Sequence, residues 1–126
     1  MLKPDAIKRG LMGEVISRIE KKGFKIINAK MITLDEPILR EHYAHIVTQP
    51  FFPDIVSYMT SGPVFAMIVE GENAVQGMRN IMGPTHIEDA APGTIRGDFA
   101  FSTSQNIIHG SDSVENAEIE INRFFK

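Results

Sequence analysis

The 126-residue chain is 43% apolar and 23% charged, the profile of one ordinary folded domain rather than a disordered or fibrous chain. With no cysteine, it can carry neither a disulfide scaffold nor a thiol nucleophile. The 13 basic and 16 acidic residues leave a net charge of -3, which opposes broad attraction to nucleic acid, so any bound anion has to meet a local cluster of cations.

Met1 and Leu2 read as the end of a strand, because Pro4 makes Lys3 extended and removes a ladder donor. Met12, Val15, Ile16 and Ile19 recur at helical spacing from Met12 to Lys22, with Gly23 as the stop. Phe24 to Ile32 is rich in Ile and Phe and reads as a strand. Thr33 or Asp35 then caps a short helix carrying Pro37, Ile38, Leu39 and Tyr43, and a second short helix covers Phe52 to Met59.

The unbroken apolar run Val64 to Val69, between Gly62-Pro63 and Gly71, suits a central strand buried on both faces. Asn73 is placed to cap a helix bearing Ala74, Val75, Met78, Ile81 and Met82, which Gly83-Pro84 ends. Residues 83–105 read as one long irregular stretch, a length more often functional than not. A short strand, Asn106 to Ile108, leads to His109. Ser111 or Asp112 then caps a last helix, with Glu115 completing a capping-box pattern and Val114, Ala117, Ile121, Phe124 and Phe125 forming its apolar face. Phe124 and Phe125 are expected to be exposed unless something packs on them. That order predicts an α+β fold of the ferredoxin-like, split βαβ type, with an antiparallel four-stranded sheet covered by helices.

No apolar run reaches the roughly 18–20 residues that span a bilayer, and the first residues lack the apolar core of a signal peptide, so no membrane contact and a cytoplasmic location are expected. The Walker P-loop, GxGxxG, CxxC and HExxH patterns are all missing. His109 stands between an apolar strand and a helix start, where backbone donors and the helix dipole favour an anion. With an ordinary pKa near ~6.5 much of it is neutral at pH 7, so it is a credible nucleophile, although a strand-end histidine bonded to backbone fits equally well.

The run Asn106-Ile107-Ile108-His109-Gly110-Ser111-Asp112-Ser113 resembles the active-site signature of nucleoside diphosphate kinases, in which the histidine is phosphorylated. Lys3-Pro4-Asp5, Arg9-Gly10-Leu11, Pro50-Phe51-Phe52, Ser61-Gly62-Pro63 and Pro92 to Phe99 resemble further motifs of that family, in order and over nearly the whole chain. The resemblance implies a single kinase domain over residues 1–126, with a first strand and a C-terminal tail shorter than usual. It implies His109 as nucleophile, Glu120 against its far ring nitrogen and Ser111 supporting that carboxylate. It also assigns Lys3, Arg79, Thr85, Arg96 and Asn106 to nucleotide binding, with Tyr43 near the transferred phosphate, Phe51 stacked on the base and Ile55 beside it.

Transfer of the terminal phosphate from nucleoside triphosphates to diphosphates by a ping-pong route, with little base selectivity, is what the resemblance implies. Mg2+ is expected between the phosphates, held by them and by water with no protein ligand, and a homo-oligomer, hexamer or tetramer, is expected. His86 and Ile87 stand where the family usually has Asn and Pro. Two other readings compete. Arg96 to Phe101 superficially resembles an RNA-recognition consensus that Asp98 interrupts, and no specific nucleic acid is expected. A phosphorelay carrier using His109 alone would leave the arginines, Thr85 and Phe51 without a role.

Overall fold

The computed structural model describes residues 1–126. Its helices lie over a small antiparallel sheet. The elements in chain order are α1 (Pro4–Lys8), α2 (Met12–Lys22), β1 (Lys25–Ile32), α3 (Glu36–His42), α4 (Phe52–Met59), β2 (Val64–Glu70), α5 (Ala74–Met82), α6 (Ile95–Phe99) and α7 (Val114–Phe125).

The sheet departs from the four full strands expected. Only β1 and β2 form a ladder, antiparallel from Lys25↔Glu70 to Ile32↔Val64, with an irregularity between Ile26 and Asn28. The other two expected strands are reduced to single bridges, Leu2 with Phe65 on one side and with Ile108 on the other. The reason is local. Pro4 turns the chain into α1 two residues after Leu2, and Asn106 to Ile108 is bent rather than extended. β2 accordingly pairs on both edges near its start, but Val64 and Ala66 are its only buried residues, and the rest are half-buried or exposed. The other edge of β1 is free, and Ile27 and Met31 are exposed on this strand.

Helix α2 has the expected bounds, buries Val15 and Ile19, and stops at Gly23 in the left-handed region at φ 105. Asp35, not Thr33, caps α3 by accepting from the Ile38 N–H at 3.1 Å, and Tyr43 lies just past the helix end. Asn73 does not cap α5. It is itself left-handed, at φ 53, and makes no side-chain cap. Nor is the stretch 83–105 wholly irregular, because Thr94 Oγ1 accepts from the Gly97 N–H at 2.9 Å and starts α6. A short 3-10 turn at Ile87–Asp89 follows His86.

The cap of α7 is Ser113, which accepts from the Asn116 N–H at 3.1 Å. Ser111 and Asp112 therefore lie before the helix, and Glu115 makes no capping box. Val114 is exposed rather than part of the apolar face. Phe124, expected to be exposed, is buried with Leu34, Leu39, Met59 and Val64. Phe125 is half-buried under the Lys30 ammonium. A second core joins Leu2, Ala6, Val15, Ile19, Met82, Ile95, Ile107 and Ile108.

One backbone feature places the candidate site. Ile107 is fully buried with φ 77, a conformation that strongly disfavours a β-branched residue. The Ile108 N–H donates to Asn106 O at 2.8 Å across it, which closes a γ-turn of the rare positive-φ kind. The surroundings force this shape. The Ile107 N–H donates to Asp5 Oδ2 at 3.2 Å, its carbonyl accepts from the Lys3 N–H at 2.9 Å, and the His109 N–H donates to Met1 O at 2.9 Å. Asp5 is held in turn by the hydroxyl of Tyr58 on α4.

Asp5→Ala removes the acceptor shared by the Ile107 N–H and the Tyr58 hydroxyl, and should lower unfolding stability by about 2–3 kcal/mol. Tyr58→Phe, which leaves the backbone bond in place, should cost about 1 kcal/mol. Urea titration at one protein concentration checks the order, and equal losses would mean that the carboxylate does not hold the turn.

Candidate active site

His109 follows the γ-turn immediately, so its ring is set by the strained backbone before it and by α7 after it. Its Nε2 lies 2.5 Å from Glu120 Oε1. The Ser111 hydroxyl donates to the same oxygen at 3.2 Å. Burial drives His109 below its usual value, only partly offset by Glu120. Burial pushes Glu120 up, but the hydrogen bond and charge of His109, then His42 and Ser111, outweigh it and hold the carboxyl below its ordinary range. Near neutral pH the pair is thus an ionised carboxylate and a neutral imidazole. An ionised carboxylate only accepts, so Nε2 carries the proton and Nδ1 keeps its lone pair.

In front of this pair lies a polar cavity of about 380 Å³, lined among others by Tyr43, Arg79, Thr85, Arg96, His109, Asp112 and Glu120. A smaller apolar cavity of about 140 Å³ runs behind it, between β2, α5 and α7. His109 and Glu120 border both, but only the polar one sets the imidazole among the guanidiniums of Arg79, Arg96 and Arg123. Five residues expected at the site do not line it. Lys3 and Asn106 bond to each other, Nζ donating to Oδ1 at 2.8 Å, and the Asn106 amide reaches Thr85 O at 3.4 Å. Ser111 sits behind the carboxylate. Phe51, 47% exposed, and Ile55 stand one turn apart at the start of α4, outside the cavity wall.

Arg96 has a second occupation that its residue type did not announce. Its Nη1 donates to Gly83 O at 2.9 Å, Nη2 to Ile108 O at 2.5 Å and Nε to Asn106 O at 3.3 Å. Three of its five N–H groups therefore tie the end of α5 to the γ-turn, and two remain for a ligand. Burial, then Arg79, pulls it down to about 10, leaving it charged at neutral pH. Lys3 falls to about 8, through burial and then Arg96. Burial, then Glu120, raises Tyr43 to about 12, so its hydroxyl stays protonated.

Gly97 is required beside Arg96, since a Cβ there would lie 2.0 Å from Ala91 O. The segment Arg96 to Phe101 forms α6 and its end rather than a strand, so Phe99 and Phe101 make no stacking platform on a sheet. They instead lie under the Arg18 and Arg9 guanidiniums. His42, Tyr43's neighbour, was not singled out in the sequence, yet its ring meets that of His109 edge to face at 4.8 Å between centroids. Arg123 was also missed. It donates to Nδ1 of His42 at 2.8 Å. The only signal for it was its place three residues after Glu120, on the same side of a helix.

His42, His109 and Glu120 offer ligand atoms within 4.8 Å of one another. Most of their ligand atoms are already engaged. His109 and Glu120 bond each other, and His42 Nδ1 is bonded to Arg123. Two imidazoles also suit a transition metal better than magnesium.

A family model described as nucleoside diphosphate kinase matches residues 1–126. The chain is 53% identical over 126 residues to a nucleoside diphosphate kinase of Staphylococcus saprophyticus, covering 100% of this chain and 85% of that protein. It is 54% identical over 125 residues to one of Caldanaerobacter subterraneus, covering 99% and 90%. Among solved structures it resembles a halophilic nucleoside diphosphate kinase from Halobacterium salinarum in complex with CDP, with a TM-score of 0.95 and 47% identity over 99% of this chain and 84% of that one. It also resembles the apo enzyme of Encephalitozoon cuniculi, with a TM-score of 0.94 and 46% identity over 98% and 84%. The chain therefore belongs to the nucleoside diphosphate kinase family.

Proposed function

We propose that the kinase works by a ping-pong route through His109, and the observation that carries this is the Glu120–His109 pair at 2.5 Å facing a cavity walled by Arg79 and Arg96. The Nδ1 lone pair of the neutral ring attacks the γ-phosphorus of a nucleoside triphosphate. The bond to the β–γ bridging oxygen breaks, its electron pair leaves with the diphosphate, and a P–N bond forms. Positive charge then appears on the ring, and Glu120, held by Ser111, stabilises it through the Nε2 proton. In the second half a terminal oxygen of another nucleoside diphosphate attacks the same phosphorus, and the P–N electrons return to Nδ1.

Arg79, the two free N–H groups of Arg96 and the Thr85 hydroxyl balance charge spread over the equatorial oxygens. The protonated Tyr43 hydroxyl adds a donor near the transferred group. Lys3 and Asn106 offer donors and an acceptor for the sugar. Phe51 is exposed enough to stack on a base and Ile55 packs below it; stacking uses a face that every base has, so broad base acceptance follows.

The cavity supplies two carboxylates, of which Glu120 is committed to His109 and Asp112 accepts from the Asn116 amide at 2.5 Å. Mg2+ therefore fits best as part of the nucleotide, held by phosphate oxygens and water. When bound, it neutralises charge on the β- and γ-phosphates. The free edge of β1, with Ile27 and Met31 exposed, favours assembly into a homo-oligomer, a hexamer or tetramer. No helix is long and apolar enough to cross a membrane, and a cytoplasmic setting matches the substrates. The bridges of Leu2 to Phe65 and to Ile108 favour a ferredoxin-like plan in which the order β1, β2, Leu2, Ile108 continues the sheet as two strands reduced to single residues.

Incubation with ATP and magnesium without acceptor should leave acid-labile phosphate on the protein, and His109→Ala should not label. Wild-type labelling of that variant would overturn the route. In Glu120→Gln the ring loses the anion that favours imidazolium, so its already lowered pKa falls further and the acid limb of phosphorylation moves to lower pH. The plateau rate should drop as well, by about 10²-fold or more. Single-turnover rates measured from acid to neutral pH check both, and an unchanged midpoint and plateau would remove Glu120 from the reaction. Phe51→Ala should weaken adenine, guanine and pyrimidine nucleotides alike, by about 1–3 kcal/mol each in binding titrations. Loss confined to one base would mean that Phe51 reads identity.

A further inference from the structure

The Arg123 side chain is only 12% exposed. Its Nη1 donates to His42 Nδ1 at 2.8 Å, while its buried Nε makes no hydrogen bond and lies 3.4 Å from the exposed carboxylate of Glu41. Burying a guanidinium costs several kcal/mol unless its partners repay it. This one lines a cavity that already holds Arg79 and Arg96, and it leaves a donor unused. Core packing would be served better by an aliphatic side chain there. His42 is boxed by rings, edge to face with Tyr43 and His109 at 4.8 Å and with Phe124 at 5.2 Å.

The chemistry of that contact has one solution. A guanidinium only donates, so His42 Nδ1 has to present a lone pair, and the ring has to be neutral with its hydrogen on Nε2. The constraint matters because His42, His109 and Glu120 lie within 4.8 Å of one another, so two imidazoles stand near one carboxylate. If His42 took a proton it would compete with His109 for Glu120 and set a positive charge beside the ring that must itself become cationic. We propose that Arg123 is a positioning residue that locks the buried, neutral His42 in its Nε2–H tautomer and in one orientation, so that the ring braces the nucleophile while Glu120 stays bonded to His109. The inference rests on His109 as the phosphorylated residue.

The groups that face His42 agree. Burial, then His109, Arg123 and Lys3, press its pKa down to about 3, and Glu120 is the one charge that opposes them. Tyr43, its other titratable neighbour, stays neutral.

The test combines imidazole ¹⁵N NMR with single-turnover phosphorylation by Mg-ATP. In the wild type, His42 Nδ1 should carry the signal of an unprotonated acceptor and should not titrate between about pH 5 and about pH 8. In Arg123→Leu the ring should stay neutral in that window, held so by burial and by His109, but its Nδ1 signal should move toward the average of two exchanging tautomers. The maximal phosphorylation rate should fall about tenfold, an ordinary coupling between contacting residues, with half-saturating ATP little changed. Arg123→Gln, which keeps a donor without the charge, should retain most of the rate.

His42→Phe supplies the decisive cycle, since it keeps a ring but cannot be protonated. Adding Arg123→Leu to it should cost nothing further. A protonated His42 Nδ1 in the wild type, an additive loss in the double variant, or a loss confined to half-saturating ATP would each overturn the proposal. The last would make Arg123 a plain phosphate ligand. The wild-type NMR result stands even if Arg123→Leu fails to fold. Labelling of His109→Ala would defeat the phosphohistidine reading instead, and the tautomer of His42 is measured independently of it.

Discussion

The γ-turn at Ile107 is the constraint on which the site depends. A buried, β-branched residue at φ 77 is worth roughly 1–3 kcal/mol of strain, and it survives because two separate segments, the start of α1 and Arg96 on α6, hold it. Asp5 takes its N–H, Lys3 gives an N–H to its carbonyl, and Arg96 takes the carbonyls on either side, of Asn106 and Ile108. The turn bends the chain just before its pairing with Leu2 and Met1, and the His109 side chain that follows lines the cavity. The shortening of the last strand and the placement of His109 beside the cavity thus share one cause, whereas Leu2 is cut short by Pro4.

Electrostatics then select the protonation states. Burial alone would neutralise both members of the central pair, raising Glu120 and lowering His109. Contact between them decides otherwise for the carboxylate, which has the hydrogen bonds of His109 and Ser111 to stabilise its charge. The result is an anion beside a neutral base, the arrangement a nitrogen nucleophile needs before it becomes cationic. Arg79 and Arg96 are kept in front of the ring, where incoming charge is negative, and Glu120 behind it.

Periodicity made α2, β1, β2, α5 and α7 legible, since each is long enough for a repeat of 2 or 3.6 to show. Helices α1 and α6 were not, because five residues carry barely one turn of pattern and each holds a proline or a glycine that reads as a breaker. The cap of α7 moved from Ser111 or Asp112 to Ser113 because three polar candidates stand in a row and only backbone geometry chooses between them. His109, Glu120 and Ser111 were legible through resemblance to a family, since nothing in their spacing alone brings residue 120 to residue 109. Arg96 was expected as a phosphate cation, but its grip on three carbonyls depends on partners 10 to 13 positions away. His42 and Arg123 lie 81 positions apart, and no local pattern joins them.

That separation extends to the whole site. The Met1 carbonyl meets the His109 amide, Lys3 meets Asn106 and Asp5 meets Ile107, contacts spanning 102 to 108 residues. Closing such loops is the slow, entropically costly step of folding. The contacts of Lys3 with Asn106 and of Asp5 with Ile107 therefore close only after the intervening chain has been made, so the polar cavity is a late product of folding. Helix α2 forms from neighbours in sequence, whereas the β1–β2 ladder already has to pair Lys25 with Glu70 and Ile32 with Val64. Local helices thus precede the site in folding, and a chain that stops before Asn106 cannot close the Lys3–Asn106 contact beside the cavity.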